Sequence, residues 1–471
     1  MAELVIDIGR RSLISLLLVF GAVVIFSDLL KIGENRFQSF VVLFFYCYCF
    51  VSLFCYSQHK LFHVLAIPVL TQFIQIFQKY SFTAGANSIW RLLPFLILDV
   101  YLLHFLLKKG NQLSADYKTL ILSWIAFNTF FLFISPNLSN IIGGGILLYL
   151  ITIPLFFVYL SLTIQADDFM QELEKYLCLL FLILGLGTIG LVFAGAGYKG
   201  SDNLLATRNI ADTNVTMAYF ILLWPFVLLY SARNSWYFPG KLSVMFLFIT
   251  VVALSFSRGA VFLVIPYILI TTVASGSFLH FKWIIPFIIL GFFYRFELSA
   301  FLEQQDLFYF WRLRFADVGS VNTILSRLES VSGRLEIHNT AYNLFLKSPV
   351  TGHGIGSFEV LGPGYREAHS LWFTLLAEEG IAGVLFLYGI LLQLAILLID
   401  LMIRAGREFS VLLTSFIFFL LFNHTVGSTF IILPGKSITV NCIAPLLLIC
   451  LYFYSIKLKI ELSATSKPDH S

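Results

Sequence analysis

The sequence predicts an all-α protein: a polytopic membrane helix bundle of 12–14 spans with one large, partly helical loop on the outer side. Three observations predict it. Charged residues make up 12% of the chain and hydrophobic residues 59%, whereas a soluble domain carries about 25% charged residues. Too little polar surface is available to cover a water-facing fold. About fourteen stretches approach the roughly 20 apolar residues that a helix needs to cross a bilayer. One long passage, 295–380, breaks this pattern and collects polar residues, including His338, His353 and His369.

The spans follow in order at 12–32, 38–56, 61–79, 91–107, 119–135, 141–164, 177–196, 214–231, 242–257, 259–275, 278–294, 381–403, 410–427 and 438–456. Those at 61–79, 91–107 and 410–427 are the least regular. Arg10 and Arg11 precede the first span and place the N-terminus in the cytoplasm. Counting alternately from there, Lys60, Lys108, Lys109, Lys118, Lys175, Arg233, Lys241, Arg404, Lys457 and Lys459 share that side. Both termini are then cytoplasmic and the long loop is outside. The first apolar run lacks a small-residue cleavage site and reads as a retained anchor. The organisation expected is 1–294 with eleven membrane helices, 295–380 as the outer loop, 381–456 with the C-terminal membrane helices, and 457–471 as a cytoplasmic tail.

Some function classes fall away. The net charge is +4 and the basic residues form no stripe, which argues against nucleic-acid partners. Cys47, Cys49, Cys55, Cys178, Cys442 and Cys450 all lie in hydrophobic runs, so neither a disulfide framework nor a zinc site is expected. No Asp-x-Asp pair or carboxylate cluster in the outer loops is placed to hold a divalent cation, and no cofactor is expected.

Within the long loop, residues 301–315 mix aromatics with charges and fit a helix lying in the membrane interface. Ser332 caps a helix running from Gly333 to Lys347, with Glu336 near the capping-box position. Pro349, Gly352, Gly354 and Gly356 end it, and a last short helix runs from Glu367 towards Gly380.

Three features share the outer side. The string Ser255-Phe-Ser-Arg-Gly-Ala260 lies between the ninth and tenth spans, Arg208 and Asn209 precede the eighth, and the loop histidines join them. Arginine presents a planar, permanently charged fork that matches phosphate oxygens. Histidine is suited to take a proton from a hydroxyl near neutral pH. The plainer readings are an arginine snorkelling to headgroups, a local pair between Arg334 and His338 four residues on, a solvated His353, and a capping or packing His369. Residue types alone do not choose among the three histidines. Asp99 and His104 lie inside a span, where ionisable groups are functional suspects. They leave a transporter reading alive beside the plainer one, a hydrogen bond between helices.

The string Leu254-Ser-Phe-Ser-Arg-Gly-Ala260 resembles the Ser-Arg-Gly-Ala signature of the O-antigen ligase and polymerase superfamily. The superfamily's second block is similar to Gly333-Arg334-Leu-Glu336, then Pro349-Val-Thr-Gly-His-Gly-Ile-Gly-Ser-Phe358, then Ala368-His369-Ser370 and Leu375-Leu-Ala-Glu-Glu-Gly-Ile-Ala-Gly383. The pieces occur in order over roughly residues 200–400.

The resemblance implies a glycosyltransferase of the bacterial inner membrane whose large loop is periplasmic. Its donor would be a glycan on undecaprenyl diphosphate, and its acceptor a hydroxyl of lipid A–core or of a second lipid-linked glycan. Carried over by position, Arg258 holds the diphosphate and His369 orients or deprotonates the acceptor. Arg208, Arg334, His338 and Glu378 are further candidates for binding substrate, with a helix-surface role as the alternative for Glu378. Transfer is expected to be metal-independent and inverting. An O-antigen ligase is the leading expectation. An O-antigen or exopolysaccharide polymerase and a protein O-oligosaccharyltransferase share the same blocks. A flippase or exporter of lipid-linked glycans is the alternative from another class, although no two related halves are visible.

Overall fold

The computed structural model describes residues 36–56, 59–78, 81, 89–109, 113–193, 196–199, 208–234, 238–255, 258–275, 334–364, 367–406, 409–427 and 443–465. The expected spans at 12–32 and 278–294 and the interface helix at 301–315 lie outside these residues. Each remaining expected span falls on a helix: α1 Arg36–Phe50, α2 Lys60–Gln78, α3 Leu93–Lys109, α4 Ala115–Phe133, α5 Leu138–Gly145 running on into α6 Ile153–Thr163, α7 Phe169–Phe193, α8 Thr213–Arg233, α9 Phe238–Leu254 and α10 Arg258–Ala274. After the loop come α11 Arg334–Lys347, the single turn α12 Phe358–Leu361, α13 Leu371–Ala405, α14 Ser410–Thr425 and α15 Ile443–Thr465. Two short strands, β1 Ala196–Lys199 and β2 Arg208–Asp212, pair in parallel.

Among the described residues six helices are long and apolar enough to cross a membrane: Phe37–Cys55, Trp90–Lys109, Leu138–Thr163, Phe169–Val192, Leu371–Ala405 and Ile443–Ala464. Others, such as Ser410–Thr425, are apolar but shorter. The protein is therefore an all-α polytopic membrane protein. Its interior is apolar and aromatic, with Trp224, Tyr219, Tyr267, Phe181 and Phe248 fully buried.

Two helices carry π-helical stretches, Val51–Cys55 after α1 and Ile146–Thr152 between α5 and α6. Each has a side chain reaching into its backbone. The Lys60 ammonium donates to the Ser52 and Leu53 carbonyls, satisfying the end of its helix. The Trp124 indole donates to the Tyr149 carbonyl at 2.8 Å. At the end of the second stretch the Thr152 hydroxyl donates to Asp99 at 2.8 Å. This is the helix-to-helix hydrogen bond that competed with a proton path; His104, on the same helix, is exposed instead.

A few polar contacts fix which helix ends lie together. Arg233, at the end of α8, pairs with Glu174 near the start of α7 at 3.0 Å, and the Tyr454 hydroxyl of α15 donates to the same carboxylate at 2.6 Å. Lys459 of α15 pairs with Asp400 near the end of α13 at 2.8 Å. Helix α10 runs parallel to α8, because Tyr267 donates to the Ile221 carbonyl and Trp224 to Thr271 one turn further along both. Helix α14 returns antiparallel to α13 through a short connection, with Tyr388 and His424 hydrogen-bonded at 2.9 Å. The starts of α8, α10 and α13 and the end of α14 therefore share one end of the bundle. Arg233, Arg404 and Lys459 mark the other.

Candidate functional site

The site is built on a break in α13. At Gly380 the backbone turns to φ 63° and ψ −157°, dividing Leu371–Ala405 into two segments at the boundary the sequence suggested. A helix break frees carbonyls before it and amides after it, and each must find a partner. The glycine turn that follows α11 supplies both sets. The amides of His353 and Gly354 donate to the Ala377 and Glu378 carbonyls at 3.2 and 2.6 Å. The amides of Ile381 and Ala382 donate to the Pro349 and Val350 carbonyls at 2.9 and 3.0 Å. Turn and kink thus cap one another.

This contact explains the glycines. Gly352 and Gly380 have positive φ and a Cβ on either would sit 2.4–2.6 Å from backbone of the facing segment, while one on Gly354, also at positive φ, would sit 2.6 Å from the Ser135 backbone. Only glycine combines that conformation with that approach. The Glu378 side chain completes the joint. Wholly buried, it accepts from the Gly356 amide at 2.9 Å and the Phe358 amide at 3.3 Å, at the head of α12. The helix-surface alternative for Glu378 is thereby replaced by a role inside the joint.

The turn is also fastened to the end of α4. The Ile355 amide donates to the Phe131 carbonyl at 3.0 Å, and the buried Asn137 amide group donates to the Gly356 carbonyl at 2.9 Å. The sequence reading missed this anchor. Its signal was the Ser135-Pro-Asn137 turn, a stop between two apolar runs that carries side chains able to bond backbone.

His369 stands two residues ahead of α13, whose first segment leads into this joint. Its φ is 53°, in the left-handed region that side chains rarely enter. Such strain persists only where the surroundings over-determine it, and it clusters at functional sites. Here the surroundings are visible on both sides. The Ala368 amide donates to the Thr374 hydroxyl at 3.1 Å, and that hydroxyl donates to the Ser370 carbonyl at 2.8 Å. The imidazole itself is one-third exposed, and its Nδ1 lies 3.5 Å from the Glu367 carboxylate, whose side chain is 11% exposed.

The other histidines have structural occupations. His338 stacks on Phe373 with ring centres 4.4 Å apart. Partial burial, reinforced by Arg334, pushes its pKa down. His353 donates from Nε2 to the Leu344 carbonyl at 3.0 Å, closing the end of α11. Arg334 donates to the Thr425 and Val426 carbonyls at 2.6 and 3.2 Å, at the C-terminal end of α14, where a cation is favoured. Its charge is felt by Glu367.

Arg258 opens α10 and Arg208 opens β2; their side chains lie outside the described residues. The backbone still fixes a level for Arg258. Tyr267 of α10 and Ser415 of α14 share a hydrogen bond of 2.6 Å. Arg258 lies nine residues from that bond and Thr425 ten, in antiparallel helices. Both are about 14 Å along their axes from it, on the same side. Arg258 therefore begins its helix level with the α14 end that Arg334 caps. Among the described residues no group of three or more His, Cys, Asp or Glu is gathered as a metal site would require.

Known proteins add one finding. None of the curated proteins compared with the chain matches it. Residues 243–388, from within α9 past the kink of α13, match the family model described as O-antigen ligase, in support of the resemblance to that superfamily.

Proposed function

We propose that the protein is an O-antigen ligase-like glycosyltransferase, moving a glycan from undecaprenyl diphosphate to a hydroxyl of lipid A–core at the periplasmic face of the inner membrane. The observation that carries this reading is His369: a strained, partly exposed histidine held from both sides, inside the family segment, at the same bundle end as the start of α10. That the opposite end bears Arg233, Arg404 and Lys459 supports a cytoplasmic assignment for it, and a periplasmic one for the site.

In the proposed step the acceptor hydroxyl oxygen attacks the anomeric carbon as His369 takes its proton. The bond from that carbon to the diphosphate breaks, and the electron pair leaves with undecaprenyl diphosphate. Attack opposite the leaving group inverts the anomeric centre. Arg258, with Arg208 as a second phosphate ligand, neutralises the charge growing on the departing diphosphate, a task guanidinium groups perform without a metal ion. Glu378 holds the turn rather than the substrate. Arg334 and His338, proposed at first as substrate ligands, serve the frame on which His369 sits.

Deleting the gene and separating lipopolysaccharide on gels tests the reading. Loss of all long glycan on lipid A, with lipid-linked polymer accumulating, is expected. Survival of one attached repeat means a polymerase of the same superfamily, unchanged lipopolysaccharide with lost protein glycosylation means an oligosaccharyltransferase, and substrate trapped on the cytoplasmic face means an exporter. With purified protein, transfer is expected to continue in excess EDTA; complete loss restored by magnesium overturns the metal-independent step.

A further inference from the structure

The proposed role of His369 leaves one requirement open. A base must present one nitrogen to the acceptor hydroxyl, and an imidazole on a turn is free to rotate unless its other nitrogen is held. The group placed to hold it is Glu367. Its carboxylate lies 3.5 Å from Nδ1 of His369, within ion-pair reach although longer than a formed hydrogen bond. Catalytic contacts in unliganded sites are commonly this loose and tighten when substrate arrives.

Two features suit Glu367 to the task. It is largely removed from solvent, at 9% exposure, so its pull on the imidazole is little screened. It also has a fixed counter-charge. Arg334 is anchored by the two carbonyls at the end of α14 and favours the ionised form of Glu367. His338 cannot take over this work. Its ring is stacked face to face on Phe373, with ring centres 4.4 Å apart.

We infer that Glu367 is the positioning residue for His369: its carboxylate receives the Nδ1–H edge of the imidazole and turns Nε2 towards the acceptor hydroxyl. When Nε2 takes the hydroxyl proton the ring becomes a cation, and Glu367 stabilises that cation while remaining ionised. No further proton moves. Arg334, held at the end of α14, sets a positive charge near this carboxylate.

This inference rests on the proposed role of His369, and one set of variants separates the two. Transfer is measured with purified protein, lipid-linked glycan and lipid A–core for the parent, Glu367→Gln, Glu367→Asp and His369→Ala. Glu367→Gln is expected to lower kcat roughly 100-fold, at the lower end of what a positioned acid–base group supplies, with KM for both substrates within about twofold. Glu367→Asp is expected to recover part of that loss. Equal melting temperatures in detergent would accompany both. If His369→Ala is inactive but Glu367→Gln retains its kcat, or loses it through KM or through melting with no recovery in Glu367→Asp, Glu367 is not the positioning residue. If His369→Ala is active, the proposed function itself fails first.

Discussion

Replacing Arg258 or His369 by alanine is expected to abolish detectable glycan transfer while the protein still inserts into membranes and extracts from them normally. The two losses differ in cause. A guanidinium aimed at a leaving diphosphate acts where charge develops, and removing one such donor costs about 10²–10³ in kcat, or roughly 3–4 kcal/mol. Removing a general base costs about 10²–10⁴. Neither should melt the protein. His369 is partly exposed, and Arg258 lies at a helix start rather than in a packed interior. The comparison variants are the other loop histidines. His353→Ala removes one bond to the Leu344 carbonyl and His338→Ala the stacking on Phe373, so both should leave measurable transfer. A dead His353→Ala or His338→Ala beside a working His369→Ala would mean that the wrong imidazole has been chosen. The assay is attachment of glycan to lipopolysaccharide in cells, paired with rates from purified protein.

Much of this architecture was legible because bilayers impose length and polarity on helices directly. The helix from Arg334 to Lys347, its termination at Pro349, and the boundary at Gly380 were also legible, since proline and glycine act locally. Contacts between distant segments were not. Arg334 invited a local pairing with His338, yet its guanidinium caps a helix that ends more than ninety positions later. Nothing local to Gly354 announces that it rests on the backbone of Ser135. The π-helical stretch at Ile146–Thr152 was invisible for the same reason, since Trp124 reaches it from another helix. At the site, the residue types were readable but their sorting was not. Three histidines in one polar loop look equivalent until backbone geometry singles out the one held at φ 53°. Glu367 was overlooked because a carboxylate two residues before a histidine is uninformative in an extended segment and close only when the chain turns as it does here.

The joint between the glycine turn and the kink should be as sensitive as the chemistry it supports, and two glycines with similar backbones separate the reasons. Gly354 has φ 92° and Gly364 has φ 88°, so alanine at either meets the same conformational penalty, about 1–3 kcal/mol. They differ in what surrounds them. A Cβ at Gly364 meets nothing within 4 Å, while one at Gly354 falls 2.6 Å from the Ser135 Cα and nitrogen and 2.8 Å from the Phe131 carbonyl oxygen. Backbone cannot rotate aside as a side chain can. To admit the methyl group the turn must lift away, and lifting lengthens the Ile355–Phe131 and Asn137–Gly356 bonds together with the Gly354 amide's bond to Glu378. Loss of these buried bonds adds to the conformational cost, and Gly354→Ala is expected to destabilise by about 4 kcal/mol or more. It should melt well below the parent in detergent and lose transfer with the fold, whereas Gly364→Ala should melt below the parent only by the conformational penalty and keep its activity. Equal melting of the two variants would mean that the turn does not sit on the end of α4. The frame holding Glu378 and the start of α13 would then need another anchor, since a strained His369 cannot be maintained by a turn that is itself unsupported.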